Sequence, residues 1–382
     1  MYDFLRELVT LTKIIPVMKY IKILCLMLIL PIFSIAQKHE KLTPDSIIHE
    51  SALGEVSDTL NNENIFDLEA PLKITLKYDI TSFIKNKHKA EYIDAELQIL
   101  SETNEPVIKN IRIQARGNFR KGQCYFPPLS LNFKTDSIKR TELAGTKKIK
   151  VVTHCTTGKN NDNIVLREYL VYKLYNILTE KSFRVKLLDI TYIDTGKKKL
   201  EFQETGFIIE PADLVAKRNN SILIDPMVVK GENLVEEDAD RAAMFQYMIS
   251  NTDWRIKSGH NTKYMKSMTD VTPKVIPVPY DFDFSAVVDA PYAFPLEWSD
   301  AETLYQRNYL GYCRNDESEY LKIISLFLEK ENQVMSYIKD IKYLGEKDKK
   351  YVSEYISEFY SEIKDQKSFL NKIRYQCRSI DF

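Results

Sequence analysis

The sequence lacks an excess of charge of either sign: its 382 residues carry 54 basic and 54 acidic side chains. A protein that binds nucleic acid needs a basic surface to meet the phosphate backbone, so the composition argues against such a partner. Glycine is scarce, at 11 residues, and the chain contains no internal repeat or low-complexity segment. With 44% hydrophobic residues, the sequence is typical of a globular protein and not of a fibrous or disordered one.

The sequence also lacks an apolar run long enough to cross a membrane. The apolar run at 23–35 is shorter than the roughly 20 residues that a spanning helix needs. Basic residues precede the run, and Ser34 and Ala36 have the small-residue spacing of a signal-peptidase site. We therefore predict a cleaved signal peptide over residues 1–36, with Met18 as an alternative start. The mature protein is then periplasmic or secreted, with no stable membrane span.

Cysteine is rare, and no two cysteines have the two-residue spacing of a zinc knuckle. Outside the predicted leader there are four, Cys124, Cys155, Cys313 and Cys377. In an oxidising compartment these could form two disulfides. Three connectivities are open at this stage, as is the alternative of four unpaired buried thiols.

Hydrophobic patterning predicts how the rest of the chain is organised. Residues 37–70 are polar and irregular, and we interpret them as a linker. Beyond them, apolar residues that alternate with polar ones predict half-buried strands, at 72–78, 111–115, 129–133, 148–152, 187–193 and 200–210.

Helical periodicity dominates the second half of the sequence. It occurs at 164–178 within the strand-rich region, at 236–250, and over most of 318–376, with Gly345 as a break. The patterning therefore predicts an α+β protein. Its strand-rich part spans 71–210 and its helix-rich part spans 211–382.

The residues best suited to chemistry lie between positions 251 and 283. Asp253 is followed in the same loop by Asn261, and Asp281 and Asp283 come after the next apolar strand. In kinase-type phosphoryl transfer, a first Asp orients the acceptor hydroxyl, while an Asn and a second Asp hold metal against the nucleotide phosphates. Carboxylate and amide oxygens are the ligands that Mg²⁺ or Mn²⁺ requires. The alternative is that these residues are turn and cap residues of their loops.

Several short motifs occur in an order and spacing that is more specific than any one of them: Arg116-Gly117-Asn118, Leu166-Arg167-Glu168, Gly206 to Glu210, Asn251 to Asp253, His260-Asn261 and Pro279-Tyr280-Asp281-Phe282-Asp283. In this the sequence resembles the CotH kinase family, the spore-coat-protein-H-like secreted kinases, over residues 70–380. The resemblance implies an atypical, bilobal protein-kinase-like fold, with a strand-rich N-terminal lobe and a helix-rich C-terminal lobe. ATP and a divalent metal would lie between the lobes.

The resemblance also implies roles for individual residues. Asp253 corresponds to the catalytic residue and Asn261 to its partner on the metal side. Asp281 corresponds to the metal-binding residue, and Asp283 is a second candidate ligand. The implied reaction is phosphate transfer to protein side chains outside the cytoplasm.

Binding of the nucleotide needs a cation near its phosphates, because several negative charges converge there. Lys134, at the end of a predicted strand, is our first choice and Arg116 the second. Glu168 would orient Lys134, as helix glutamates orient strand lysines in kinases, unless Arg167 binds phosphate directly. Glu210 would contact the nucleotide base. For Lys134 and Glu210 the alternative is an ordinary charged residue at a strand end.

We therefore predict an exported, metal-dependent kinase that transfers phosphate from ATP to a hydroxyl of an unidentified protein. The first alternative is a secreted, non-catalytic binding or structural module with a kinase-like fold. Phe119 and Arg120 favour it, because they stand where the CotH family often has small hydroxyl residues. The second alternative is a metal-dependent phosphoesterase in which Asp281 and Asp283 hold two metal ions.

Overall fold

The computed structural model describes residues 65–89, 91–100, 106–133, 146–156 and 161–380. The predicted signal peptide, most of the predicted linker and Lys134 lie outside the described residues. The described residues belong to one compact unit, Asn61–Phe382. Within this part of the chain, no helix has both the length and the apolar character needed to cross a lipid bilayer.

Seven strands close into a barrel: β1 (Leu72–Tyr78), β2 (Ile93–Leu100), β3 (Pro106–Ala115), β4 (Leu129–Phe133), β5 (Lys148–Val152), β6 (Val185–Asp194) and β7 (Glu201–Ile209). Their order around the barrel is β1-β2-β3-β4-β5-β7-β6. Neighbouring strands are antiparallel except β1 and β6, which run parallel, with Leu72 opposite Leu188 and Tyr78 opposite Asp194. This parallel pair closes the barrel, and closure removes the exposed edges that an open sheet would have.

The closed barrel shows that the prediction of a bilobal, protein-kinase-like fold was wrong. Side-chain alternation predicted six of these seven strands, because alternation follows from the half-buried position of each strand. Strand β2 was not predicted, although Ala95, Leu97 and Ile99 alternate with polar residues there. The β1–β6 pairing could not be predicted either, because residues far apart in the sequence leave no local pattern of their pairing.

The barrel interior forms a hydrophobic core of its own. Alternate residues of β1 and β6 meet there, namely Ile74, Leu76 and Tyr78 with Leu188, Ile190 and Tyr192. The other face of β6 is also buried, because Val185 and Leu187 belong to the second core, which the helices form. The two cores therefore share one wall of the barrel.

The helices of the described residues are α1 (Ile80–Asn86), α2 (Phe119–Gln123), α3 (Asn161–Leu178), α4 (Ala212–Arg218), α5 (Glu236–Met248), α6 (Glu317–Asp340), α7 (Glu346–Lys364) and α8 (Gln366–Gln376). The predictions of α3, α5 and a helical C-terminal region are confirmed. Gly345 is the N-cap of α7, which confirms the predicted break. Asp316 caps α6, where its carboxylate accepts a hydrogen bond from the Ser318 N–H at 2.9 Å.

A small antiparallel sheet positions the loops that matter for function. Its strands β8 (Ser221–Ile224), β9 (Thr262–Ser267) and β10 (Ile276–Pro279) lie in the order β10-β9-β8. Pro279, at the end of β10, is paired with Thr262, at the start of β9. The loop that enters β9 and the loop that leaves β10 are therefore neighbours.

The four cysteines form two disulfides, Cys124–Cys155 and Cys313–Cys377. The first joins the end of α2 to the segment after β5. The second joins the segment before α6 to the end of α8. The structure thus selects one of the three connectivities left open by the sequence.

Gly206 tests the packing of the barrel wall, because a side chain has no room at this position. A Cβ atom there would lie 2.9 Å from the carbonyl oxygen of Val152 and 2.7 Å from Cδ1 of Ile190. We expect Gly206→Ala to lower the free energy of unfolding by about 1–3 kcal/mol, measured by denaturant titration. A Cβ atom on Gly122, within α2, would have no neighbour within 4 Å, so Gly122→Ala should not lower the free energy of unfolding and should raise it by up to about 1 kcal/mol. Equal effects would contradict the described packing.

Candidate functional site

The β9–β10 hairpin brings together two loops that the sequence analysis singled out. Beyond the paired Thr262 and Pro279, the N–H of Tyr280 donates to the carbonyl oxygen of Asn261 at 3.0 Å. Asn261 and Asp281 have positive φ angles of 50° and 65°, a region that short polar side chains tolerate better than most. Asn261 and Asp281 therefore lie on adjacent chain segments at one end of the hairpin.

The carboxylate of Asp253 is held on both oxygens by its own loop. Nδ2 of Asn261 donates to Oδ2 of Asp253 at 2.9 Å and to the Asp253 carbonyl oxygen at 2.8 Å. Nε2 of His260 lies 2.5 Å from Oδ1. The backbone N–H of Asp253 donates to Oδ1 of Asn251 at 3.0 Å. These contacts fix the orientation of Asp253 and bring the predicted catalytic residue to its predicted partner Asn261.

The Asp253–His260 pair is partly open to solvent. Burial raises the pKa of Asp253 above its ordinary value, and the hydrogen bond to His260 opposes this effect. The same hydrogen bond raises the pKa of His260. The side chain of His260 is 44% exposed and that of Asp253 is 14% exposed. Because each carboxylate oxygen has two lone pairs, Asp253 can still accept a hydrogen bond from a hydroxyl group.

Asp283 lies on the buried side of the Asp281 loop, beside an arginine. Its Oδ2 accepts a hydrogen bond from the hydroxyl of Tyr292 at 3.0 Å and lies 4.0 Å from Nε of Arg120. Nη1 of Arg120 is 3.4 Å from Oε2 of Glu168. Nη2 of Arg120 donates to the carbonyl oxygen of Thr153 at 2.9 Å. One guanidinium group therefore faces two buried carboxyl groups.

This buried ion cluster, Arg120, Glu168 and Asp283, holds its two acids at raised pKa values. Burial, with a contribution from the charge of Asp281, raises the pKa of Asp283 to about 7. Burial also raises the pKa of Glu168, although Arg120 acts in the opposite direction. Asp283 thus contacts Arg120 and Tyr292, and its role as a metal ligand stays a prediction. The same is true of Glu168, whose contact is with Arg120.

Lys150 lies close to Asp281 and was not selected from the sequence. Its Nζ is 4.8 Å from the centroid of the Tyr280 ring, and Nζ of Lys263 is 5.7 Å from the same centroid. Burial lowers the pKa of Lys150 from its ordinary value of 10.5 to about 8, the charge of Arg116 lowers it further, and Asp281 opposes both. We call Arg116, Lys150 and Lys263 the cationic cluster. It contains Arg116, the second choice from the sequence for the phosphate-binding cation.

Two other predicted nucleotide-binding residues form ion pairs of their own. Nη1 of Arg167 is 3.5 Å from a carboxylate oxygen of Asp289. Glu210 is buried, and its two oxygens lie 3.0 Å from Arg184 and 3.0 Å from Arg218. Contact of Arg167 or Glu210 with a nucleotide stays a prediction, and neither residue contributes to the site described above.

The oxygen atoms of Asp281 and Asn261 suit a divalent cation that is shared with a nucleotide. The described residues contain no group of three His, Cys, Asp or Glu side chains able to hold a metal. Mg²⁺ in phosphoryl-transfer sites usually takes one or two protein ligands and completes its shell with phosphate and water oxygens. Nδ2 of Asn261 is used by Asp253, which leaves its Oδ1 for such a contact. The ligand chemistry therefore fits Mg²⁺ or Mn²⁺ bound together with phosphate.

Comparison with known proteins adds little to this geometry. No protein-family model matches the sequence, and no curated protein matches it. Among solved structures, the chain is similar to a Helicobacter pylori proinflammatory kinase, CtkA, with a TM-score of 0.37 and 10% identity, over 65% of this chain and 93% of that chain. At this TM-score the similarity supports no conclusion about the fold or activity, and membership of the CotH family stays a prediction.

The pKa of Lys150 leads to a test of the cationic cluster. In the folded protein this pKa is about 8, below the ordinary 10.5, so between these values the unfolded chain binds more protons and stability rises with pH. Lys150→Met removes the buried charge. It is therefore expected to raise the free energy of unfolding at pH 7. This gain in stability over the wild type should shrink as the pH rises from about 8 towards 10.5.

Denaturant unfolding at several pH values measures this gain. Lys148→Met is the matched control, because Lys148 lies on the same strand and is exposed. It should not reproduce the stabilisation at pH 7. A gain for Lys150→Met that is the same at pH 7 and pH 10 would show that Lys150 is not held at a lowered pKa.

Proposed function

We propose that the protein is an exported, metal-dependent phosphotransferase that moves the terminal phosphate of a nucleotide, ATP in the simplest case, to a protein hydroxyl. The observation that carries this proposal is the Asp253–Asn261 pair, hydrogen-bonded at 2.9 Å, next to Asp281 at the end of the β9–β10 hairpin. Phosphoryl transfer uses this set of groups. The motifs that resemble the CotH kinase family support the same chemistry.

Asp253 is suited to orient the acceptor hydroxyl. Its raised pKa makes it a better proton acceptor than an exposed aspartate, and Asn261 and His260 fix its direction. As the acceptor oxygen bonds to the terminal phosphorus, the bond from that phosphorus to the bridging oxygen breaks. The hydroxyl proton passes to the Asp253 carboxylate, and the nucleoside diphosphate leaves.

Asp281 and the amide oxygen of Asn261 would hold the divalent ion, which when bound neutralises charge on the phosphates. The cationic cluster beside Tyr280 supplies further positive charge. Fixed cations near the transferring group stabilise the transition state more than the ground state. Lys134 remains an alternative for this role, outside the described residues.

We also propose a periplasmic or secreted location. The predicted leader supports it, and so do the Cys124–Cys155 and Cys313–Cys377 disulfides, because disulfides persist in oxidising compartments. The partners are then a nucleotide and a polypeptide acceptor outside the cytoplasm.

The second candidate function is a secreted module that binds a ligand without transferring phosphate. It is favoured by the packing of Phe119. The centroid of its ring lies 5.1 Å from that of Phe284 and 6.2 Å from that of Phe294. An aromatic cluster thus surrounds the first residue of α2, where the CotH family often has small hydroxyl residues. A segment that packs in this way contributes less to phosphate binding.

A labelling assay tests the proposal. The mature protein, incubated with radiolabelled ATP and Mn²⁺, is expected to label itself or an added acceptor such as casein. Asp281→Asn removes the charge that holds the metal, so it should lower the labelling rate by about 10²-fold or more. It should also abolish the thermal stabilisation of the protein by Mn²⁺ and ATP.

The matched control is Asp213→Asn, because Asp213 is an exposed aspartate in the first turn of α4. It should leave both labelling and stabilisation unchanged. Thermal stabilisation of the wild-type protein without any labelling would favour the binding module. The absence of both effects would contradict the phosphotransferase proposal.

Asp253→Asn separates the two halves of the site. Asp253 faces the acceptor, whereas Asp281 faces the metal and phosphates, so Asp253→Asn should abolish labelling and keep the stabilisation by Mn²⁺ and ATP. The same labelling assay and thermal melts measure both quantities. Loss of the thermal stabilisation by Mn²⁺ and ATP in Asp253→Asn would contradict the separate roles given to Asp253 and Asp281.

A further inference from the structure

The Cys124–Cys155 disulfide and the side chain of Arg120 connect the same two segments of the chain. Cys124 follows α2, and its N–H donates to the carbonyl oxygen of Arg120 at 2.8 Å. Cys155 lies two residues after Thr153, whose carbonyl oxygen accepts from Nη2 of Arg120 at 2.9 Å. The N–H of Phe126 donates to the Cys155 carbonyl oxygen at 3.0 Å. The disulfide thus holds α2 where Arg120 can reach the segment after β5.

Arg120 in turn links this region to the candidate site. Its guanidinium faces Glu168 at 3.4 Å and Asp283 at 4.0 Å. Asp283 is two residues from Asp281, the residue proposed to face the metal. The position of the Asp281–Asp283 loop is therefore coupled to the position of Arg120, and through α2 to the disulfide.

The buried ion cluster is sensitive to loss of its arginine. Arg120 is 6% exposed, Glu168 1% and Asp283 4%. Two carboxyl groups without a counter-charge in such an environment are strongly unfavourable. Because Glu168 lies within α3 and Asp283 lies in a loop, loss of the Arg120 contact leaves the loop less firmly held than the helix. Displacement of Arg120 should therefore disturb the loop that carries Asp281.

We propose that the Cys124–Cys155 disulfide positions Arg120, and that the Asp281–Asp283 loop reaches its ligand-binding arrangement only in the oxidised chain. This inference rests on the proposed function of the same site. Oxidation proceeds by thiol–disulfide exchange, in which an oxidised disulfide donor takes two electrons and two protons from the two thiols and becomes a dithiol. The protein would be inactive in a reducing compartment and would become active after export.

The second disulfide provides a matched control within the same chain. Cys313–Cys377 ties the segment before α6 to the end of α8, and the N–H of Cys313 donates to the carbonyl oxygen of Arg378 at 2.9 Å. Loss of this cross-link should destabilise the C-terminal helices, as loss of Cys124–Cys155 should destabilise its own region. It should not release Arg120.

The experiment compares Cys124→Ser/Cys155→Ser with Cys313→Ser/Cys377→Ser. Hydrogen exchange is measured without ligand on the peptide that contains residues 281–284, and labelling with Mn²⁺ and ATP is measured as kcat and KM. For the first variant, exchange of this peptide should accelerate about tenfold or more, and the KM for ATP should rise. Strand β6 should stay protected from exchange. For the second variant, neither the exchange of this peptide nor the KM should change.

Arg120→Lys tests whether the disulfide acts through Arg120. Lysine keeps the charge but lacks the planar fork that reaches Thr153, Glu168 and Asp283 together. Arg120→Lys should therefore accelerate exchange of the 281–284 peptide. Combined with Cys124→Ser/Cys155→Ser it should cause little further acceleration, because both changes break the same link between the disulfide and the Asp281–Asp283 loop. Additive effects of the two changes would overturn the role given to Arg120.

Unchanged exchange and unchanged labelling in Cys124→Ser/Cys155→Ser would overturn the inference. If this variant does not fold, the folded wild-type protein is reduced with dithiothreitol and then reoxidised. Accelerated exchange at 281–284 that reverses on reoxidation would support the inference, and labelling at the oxidised rate after reduction would overturn it. If the wild-type protein neither labels nor binds nucleotide, the proposed function fails, while the exchange data still decide whether the disulfide positions the loop.

Discussion

A buried guanidinium group that faces two carboxyl groups joins the main parts of this structure. Arg120 comes from the helix between β3 and β4, Glu168 from α3 and Asp283 from the loop after β10. A charge buried to this extent must be paired, so the three segments are required to meet. The barrel, the helical core and the three-stranded sheet are therefore held in one arrangement at the place where the candidate site lies.

The candidate site combines groups from two structural sources. The barrel wall supplies cations, since Lys150 lies on β5 and Arg116 follows β3. The β9–β10 hairpin supplies Lys263, on β9, and the acidic and amide oxygens of Asp281 and Asn261. An anionic ligand with a cation would then satisfy both sets of groups.

Sequence patterns predicted those features that depend on local periodicity or on an ordered motif. Asp253, Asn261 and Asp281 could be grouped because their order is that of a known type of reaction, and the structure brings Asn261 to both. Lys150 could not be selected, because a lysine between buried Ile149 and Val151 has the pattern of any exposed strand residue. The ion pair of Glu210 with Arg184 and the β1–β6 pairing depend on contacts between residues far apart in the sequence, which leave no local signal.

The parallel β1–β6 pair also has a consequence for the order of folding. During synthesis β1 can pair with β2 early, but its second neighbour is complete only when residue 194 has been made. Formation of so distant a contact carries a large loop-closure entropy and is slow compared with helix formation. Until then the outer edges of β1 and β6 remain open to pairing with other chains. The nascent protein therefore passes through an interval in which aggregation competes with barrel closure.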